Sequence, residues 1–304
     1  MSEARAHGSP NGWLNLAKPR GMTSFDAVRR VQAILGTRRV GHAGTLDPDA
    51  SGVLPIAVGS ATRLLEWCDT APKQYRGWMV FGVLTATGDG AGETSGRSGP
   101  PYPDEAALYW ASKFLQGEVS QIPPQVSALK KNGRTLYDVV RRGGSVWPAP
   151  RTVKIHRLKV LAGEADRWLV EADVGKGTYM RSVVRDWGTL LGHAVHLEGL
   201  ERTRAGAFRI EEATGLDQLG EDWNGRLLST ADALTIPKVE LPDHHRRAVA
   251  SGLVLDSWPE LEGYRGVVAL VEGGQVVCVM EGPPWRYRKV FLSLGDGDGR
   301  HAAT

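Results

Sequence analysis

A chain of 304 residues, 41% hydrophobic and 23% charged, is ordinary for a water-soluble globular protein and long enough for two domains, one of them large. No apolar run approaches the ~18 residues needed to span a bilayer, and the polar segment Met1 to Asn11 lacks the apolar core of a secretory signal; membrane insertion is excluded and residues 1–11 are expected to be a disordered tail. The net charge of +3 hardly advertises a nucleic-acid partner when taken globally.

In chain order, Thr23 to Leu35 has the spacing of an amphipathic helix, with Thr23 or Ser24 as cap, Ala27, Val28, Val31, Ile34 and Leu35 on one face, and Gly36 ending it. The glycine-punctuated stretch Gly41 to Gly52 follows, with Asp47 in a turn whose backbone can approach a bulky ligand closely. An Asp before Pro that stood alone would be read as a turn residue. The apolar run Val53 to Val58 fits a short buried strand, Ala61 to Cys68 a helical piece and Tyr75 to Val83 a strand. Thr85 to Pro103, rich in Gly, Ser and Thr, is expected to be a long flexible connection, and Pro103 to Leu115 a helix closed by Gly117.

Between Gln125 and Val160 the chain holds nine Lys and Arg (Lys130, Lys131, Arg134, Arg141, Arg142, Arg151, Lys154, Arg157, Lys159) against one acid, Asp138, so the basic charge is concentrated. Interspersed Asn132, Gly133, Tyr137, Gly143, Gly144 and Trp147 suit a mobile arm that tracks a phosphate backbone, since Lys and Arg displace condensed counterions while aromatics stack on bases. A plain solvated face is the alternative.

Trp168, Val170, Ala172 and Val174 alternate as in a half-buried strand. Past the turn Lys176-Gly177-Thr178, a helix is expected from Thr178 to Gly192, with Tyr179 and Arg181 in its first turn, pointing away from the apolar stripe. Composition shifts near Ile236-Pro237. Beyond a helical segment at Arg246 to Gly252, the runs Val267 to Glu272 and Gln275 to Met280, joined by Gly273-Gly274, signal a hairpin, and a third run near Val290 to Leu294 completes a small β-rich unit. Gly295 to Gly299, calcium-like at a glance, lacks a trailing ligand set and reads as a frayed tail. Cys68 and Cys278, far apart beside apolar segments, read as buried thiols in a reducing cytoplasm.

Several motifs converge on one family. The Asp47 loop, with Gly41, His42, Gly44, Leu46, Asp47 and Pro48, resembles the G-H-x-G-x-L-D-P core of the TruB family of pseudouridine synthases. So do Lys18 to Ser24, Lys73-Gln74-Tyr75-Arg76, Ile122 to Lys130, Lys176 to Arg181 and Leu200 within Gly199 to Arg204, in the family's order. Ala43 and Thr45 fill variable positions of the motif. The resemblance implies an α/β (α+β) pseudouridine synthase fold over residues 12–235, with a mixed, mainly antiparallel sheet flanked by helices. It also implies a flexible RNA-binding thumb at about 124–150 and a small, barrel-like β domain of the PUA type at 236–304.

The implied activity is isomerisation of one uridine in the T-arm loop of tRNA, at RNA position 55, by a cytoplasmic monomer that needs no cofactor, metal or obligatory protein partner. That reaction breaks the C1′ to N1 bond, rotates the uracil and closes a C1′ to C5 bond. A carboxylate near its unperturbed pKa of ~4 is a nucleophile that needs no activating base, and it serves attack at C1′ or at C6 alike. The resemblance makes Asp47 that nucleophile, Arg181 its guanidinium partner and Tyr75 a face for the uracil and a candidate base for the C5 proton. It puts Tyr179, Leu200 and Lys18 at the nucleotide and makes His42 the group that fills the gap left by flipped bases, since a stacked uridine must be extruded to react. Lys130, Lys131, Arg134, Arg141 and Arg142 would meet the RNA backbone. A non-catalytic tRNA-binding and refolding protein and a guide-directed RNA modifier are the rival readings; the first would lack turnover, the second would need partners.

Overall fold

Strand β1 (Gly12–Lys18) shows how the central sheet is built. Leu14 and Leu16 enter one core, while Trp13, on the opposite face by the two-residue period of a strand, enters another. The same holds for β3 (Ser51–Val58): Leu54, Ile56 and Val58 go to the first core, and Val53 and Ala57 to the second. Both faces of this strand are covered, which is why its sequence is a continuous apolar run rather than an alternating one. The computed structural model describes residues 9–292, except 69, 126–129, 132–133, 136–147 and 254–256, with backbone only at 130–131 and 134–135.

The remaining strands are β2 (Val40–His42), β4 (Lys73–Phe81), β5 (Val83–Thr85), β6 (Thr94–Arg97), β7 (Gly117–Gln121), β8 (Lys130–Lys131), β9 (Arg134–Thr135), β10 (Arg151–Glu164), β11 (Arg167–Val174), β12 (Val195–Ala205), β13 (Phe208–Arg209), β14 (Leu227–Leu228), β15 (Lys238–Glu240), β16 (Gly266–Glu272), β17 (Gln275–Gly282) and β18 (Arg286–Val290). The helices are α1 (Ser24–Leu35), α2 (Glu105–Phe114), α3 (Met180–Leu190), α4 (Leu216–Glu221) and α5 (Asp243–Ser251). A ten-stranded sheet runs β14-β1-β3-β12-β4-β11-β10-β7, with β13 on β12 and β2 on β3. Only the β3–β12 ladder in it is parallel, so the expected mixed, mainly antiparallel sheet is present.

Helices α1 to α4 cover the first face through Val28, Val31, Leu108, Val184, Trp187 and Leu219. Helix α1 forms where its spacing predicts. Thr23 caps it by accepting the Asp26 amide at 3.0 Å, and Gly36 ends it with φ 62°, a left-handed conformation that glycine adopts without cost. The second face packs on the C-terminal sheet β15-β16-β17-β18, through Ala269, Val271, Val276 and Val279 against Trp13, Ala57, Leu64 and Phe208. The C-terminal unit therefore shares a core with the main sheet. Among the described residues its ladders leave an open sheet, with β18 not paired back to β15, so the expected barrel closure is not seen.

The helical piece expected at Ala61 to Cys68 is present as a 3-10 helix, Gly59–Trp67. Other expectations are corrected. Thr85 to Pro103 is not a plain connection: β5 and β6 pair as a hairpin, and its tip folds back onto the main sheet through the bridge of Asp89 to Leu197. The basic window does not act as one arm, because Arg151 to Val160 belong to the long strand β10, held by ladders to β7 and β11. Lys130–Lys131 and Arg134–Thr135 pair as a two-stranded ribbon. Arg141, Arg142, residues 1–8 and Gly295 to Gly299 lie outside the described residues. The third C-terminal strand ends at Val290, earlier than its apolar run suggests. Neither cysteine forms a disulfide, and burial pushes the Cys278 thiol up to about 12.

Candidate active site

Asp47 sits on the loop between β2 and β3, and that loop is pinned from three sides. Its flanking residues Leu46 and Ala50 are anchored in the first core. The buried Ser24 hydroxyl, at the start of α1, donates to the Leu46 carbonyl at 3.0 Å and accepts the Leu46 amide at 2.8 Å. Arg202, fully buried on β12, donates from Nε to the Val53 carbonyl (2.7 Å), from Nη1 to Thr45 (3.3 Å) and from Nη2 to Gly44 (3.2 Å). Gly44 has φ 113° and Gly52 φ 103°, and a Cβ on Gly52 would lie 2.2 Å from the Arg202 carbonyl oxygen. The parallel β3–β12 crossing at Gly52 to Arg202 thus requires glycine.

Lys18 is the third anchor. Its ammonium is buried and donates to the carbonyls of Met22 (2.6 Å), Pro19 (2.9 Å) and Pro48 (3.4 Å). It lies beneath the loop and is not among the residues lining the clefts beside Asp47; the inward carbonyls of two turns take its protons there. Burial lowers its pKa from 10.5 to about 8, with Asp47 and Asp49 opposing that shift and Arg202 adding to it. Below about 8 the charged form costs stability in the fold, and the unfolded chain binds more protons between about 8 and 10.5. The difference in unfolding free energy between the wild type and Lys18→Met should therefore move in favour of the wild type as pH rises through that window; urea unfolding at several pH values reads it, and a pH-independent difference would contradict it.

The Asp47 carboxylate is 37% exposed and faces Arg181, only 6% exposed, at 2.8 Å from Oδ2 to Nη2. Arg181 starts α3 and, instead of pointing to solvent, is buried between the Asp47 loop and the tip of the β5–β6 hairpin. Its Nη1 donates to the Thr87 carbonyl at 2.9 Å and lies 3.6 Å from the Asp89 carboxylate. Asp89 in turn accepts the Thr87 hydroxyl at 2.5 Å and the Ala91 amide at 3.2 Å. Two carboxylates thus share one guanidinium, and the more buried of them, Asp89, was not legible as a site residue. Asp89→Asn should leave the hairpin folded but loosen Arg181, lowering turnover by about tenfold to a hundredfold with a smaller change in KM. Steady-state kinetics on the two proteins would expose an unchanged kcat, which would count against this role.

Two clefts meet at Asp47 and Leu200. One, of about 240 Å³, is lined by Thr45, Asp47, Lys73, Tyr75, Arg151, Thr178, Tyr179, Met180 and Leu200. The other runs past Arg20, Asp49, Asp89, Arg181 and Glu198. Tyr75, on β4 between β11 and β12, is largely buried and lines the first cleft. Leu200 reaches both clefts because the β12–β4 register slips between Glu198 and Glu201, the kind of bulge that re-aims a side chain. Tyr179 is held by Gln121, whose amide accepts its N–H at 2.9 Å and donates to its carbonyl at 3.3 Å. Arg151 stacks over the Tyr179 ring at 4.8 Å and bonds the Gly177 carbonyl, putting a cation at the lip of the cleft.

Asp47, Arg181, Tyr75, Tyr179 and Leu200 are thus brought together, while His42 is not among the lining residues of either cleft. His42 ends β2, paired opposite Ile56. Its Nδ1 is buried without a hydrogen-bond partner, and burial and the Arg202 charge hold its pKa below the ordinary 6.5, so the ring is neutral at pH 7. The side chains of Lys130, Lys131 and Arg134 lie outside the described residues, as do Arg141 and Arg142.

The family model for TruB family pseudouridylate synthase (N terminal domain) matches residues 32–180. Over 299 residues the chain is 38% identical to the tRNA pseudouridine synthase B of Streptococcus gordonii, covering 93% of this chain and 100% of that protein. Against the enzyme of the same name from Thermobifida fusca it is 38% identical over 294 residues, 94% of this chain and 99% of the other. Among solved structures, a chain of a Cbf5-Nop10-Gar1 complex superposes with a TM-score of 0.70 at 27% identity, covering 93% of this chain and 85% of that one. A chain of an H/ACA RNP bound to a substrate RNA containing 2'-deoxyuridine superposes with a TM-score of 0.65 at 27% identity, covering 89% and 78%.

Proposed function

Since the chain belongs to the TruB family of pseudouridylate synthases, an enzyme family acting on tRNA uridine, we propose that it isomerises uridine 55 of the T-arm loop with Asp47 as nucleophile. The observation that carries this reading is the Asp47–Arg181 pair at the junction of the two clefts. A carboxylate beneath a bound base loses water, which disfavours its charge, and a guanidinium at 2.8 Å restores it. Tyr75 offers an aromatic ring and Leu200 an aliphatic contact to an extruded uracil, and Tyr179 with Arg151 closes the lip where the sugar and phosphate would pass. Neutral His42, outside the clefts, suits the space that flipped bases vacate, since an uncharged ring costs less to bury in a base stack.

The C-terminal unit acts as a PUA-like RNA-binding domain in this reading, and residues at about 124–150 as the thumb that closes over the T loop. The enzyme works alone, as a monomer, without guide RNA. Neutralising Lys130, Lys131 and Arg134 together should weaken tRNA binding and lower the slope of log affinity against log salt by about 2, at roughly 0.7 for each phosphate that no longer meets a cation. Filter binding at several salt concentrations measures it, and an unchanged slope would argue against a role at the phosphates. The test of the site assignment is a transcript with cytidine at position 55: it should yield no pseudouridine, and product at another uridine would contradict the position.

A further inference from the structure

We propose that the C-terminal unit carries a binding site for a divalent transition-metal ion of the zinc class, formed by His244, His245 and Glu260 and independent of the Asp47 clefts. His244 and His245 lie in the first turn of α5, and Glu260 in the 3-10 turn Pro259–Leu261, so the ion would tie together two elements on the same sheet. One ligand atom from each residue lies within 4.8 Å of the others.

The geometry favours an ion over direct contact. His244 Nε2 is 3.7 Å from Oε1 of Glu260, and His245 Nδ1 is 3.7 Å from Oε2. Both gaps are too wide for hydrogen bonds and end on different oxygens of Glu260; with one atom from each residue the set spans up to 4.8 Å, so side-chain rotation would have to close it to the edge of about 3.3–3.4 Å that a tetrahedron has when its metal–ligand bonds are about 2.0–2.1 Å. A shared proton would draw such a pair to roughly 2.7–2.9 Å instead. Moreover, His245 Nδ1 and Glu260 Oε2 are both buried with no hydrogen-bond partner. Buried polar atoms are nearly always paired, and two orphans facing each other across this distance call for a third group between them.

The donor set points to the class of ion. Two imidazoles and one carboxylate are the ligands of open zinc sites, which keep a fourth position for water. That position has access from solvent beside His244, whose side chain is 69% exposed, while His245 is 14% exposed. The His245 ring is fixed edge-on against Trp258, 4.7 Å between centroids at 65°. None of the three residues lines the clefts beside Asp47, so the ion would brace the fold of the C-terminal unit.

The test is a titration of the full-length, chelator-stripped protein with zinc ion alone, against a chromophoric competitor near neutral pH. It is run on the wild type, on Glu260→Gln, on His244→Ala and on His156→Ala, an exposed histidine of β10 that serves as control. The expected result is one zinc per chain, bound at least about tenfold more weakly by the first two variants and unchanged by the control. X-ray absorption of the loaded protein should then give nitrogen and oxygen ligands at about 2.0–2.1 Å with imidazole scattering. Because His244 is mostly exposed, His244→Ala keeps the fold, and melting of each metal-free variant checks it. Equal binding by wild type, Glu260→Gln and His244→Ala would mean adventitious surface histidines only and would overturn the proposal, as would no stoichiometric zinc at tens of micromolar.

Discussion

Asp47→Asn should lose pseudouridine formation by about four orders of magnitude or more, the scale on which removing a nucleophile acts in other covalent enzymes, while tRNA affinity stays within about tenfold. The substitution is nearly isosteric, and its amide oxygen can still accept from Arg181, so the loop keeps its anchors at Ser24, Lys18 and Arg202. What disappears is the charged oxygen at the junction of the clefts. Single-turnover assays and filter binding separate the two quantities. A large loss of affinity alongside activity would make Asp47 a holder of the loop rather than the attacking group.

Arg202→Met should destabilise the protein by about 3 kcal/mol, because it strands the buried carbonyl of Val53, at about 1–3 kcal/mol for a buried group left unsatisfied, together with the half-buried carbonyls of Thr45 and Gly44 at a smaller cost each. For a chain of 304 residues that corresponds to a drop in Tm of about 5 °C. Turnover should fall further than folding alone explains, since Gly44 and Thr45 set the path of the chain into Asp47. Gly52→Ala attacks the same joint from the other strand, with a Cβ only 2.2 Å from the Arg202 carbonyl oxygen. Thermal melts that leave Arg202→Met within about a degree of the wild type would show that the loop holds without it.

Local features of this chain were legible because local physics decides them. The cap and stop of α1 follow from Thr23 and Gly36, and the burial of β3 on both faces follows from its unbroken apolar run. The Asp47 loop announced itself through glycines and a family motif. Asp89, Arg202 and Gln121 did not, because their roles depend on pairings of 58 to 158 residues in sequence separation that leave no periodic trace. The hairpin of β5 and β6 was hidden by a composition rich in Gly, Ser and Thr that equally describes a flexible link. The motif set Lys18 beside the site, but that its ammonium satisfies carbonyls beneath the loop left no trace in the sequence. The basic window misled by its charge: Arg151, Lys154, Arg157 and Lys159 belong to β10, so charge density alone does not tell a strand from an arm.

In the proposed function this single chain, with no guide or partner, carries out the isomerisation at uridine 55. The most direct measurement is release of tritium from C5-labelled uridine in an unmodified tRNA transcript, with the purified wild type alone and Asp47→Asn beside it. Release of one tritium per tRNA that depends on Asp47 and vanishes when position 55 is not uridine is the predicted result. Tight tRNA binding with no release, or release only after partner proteins and a guide RNA are added, would contradict it.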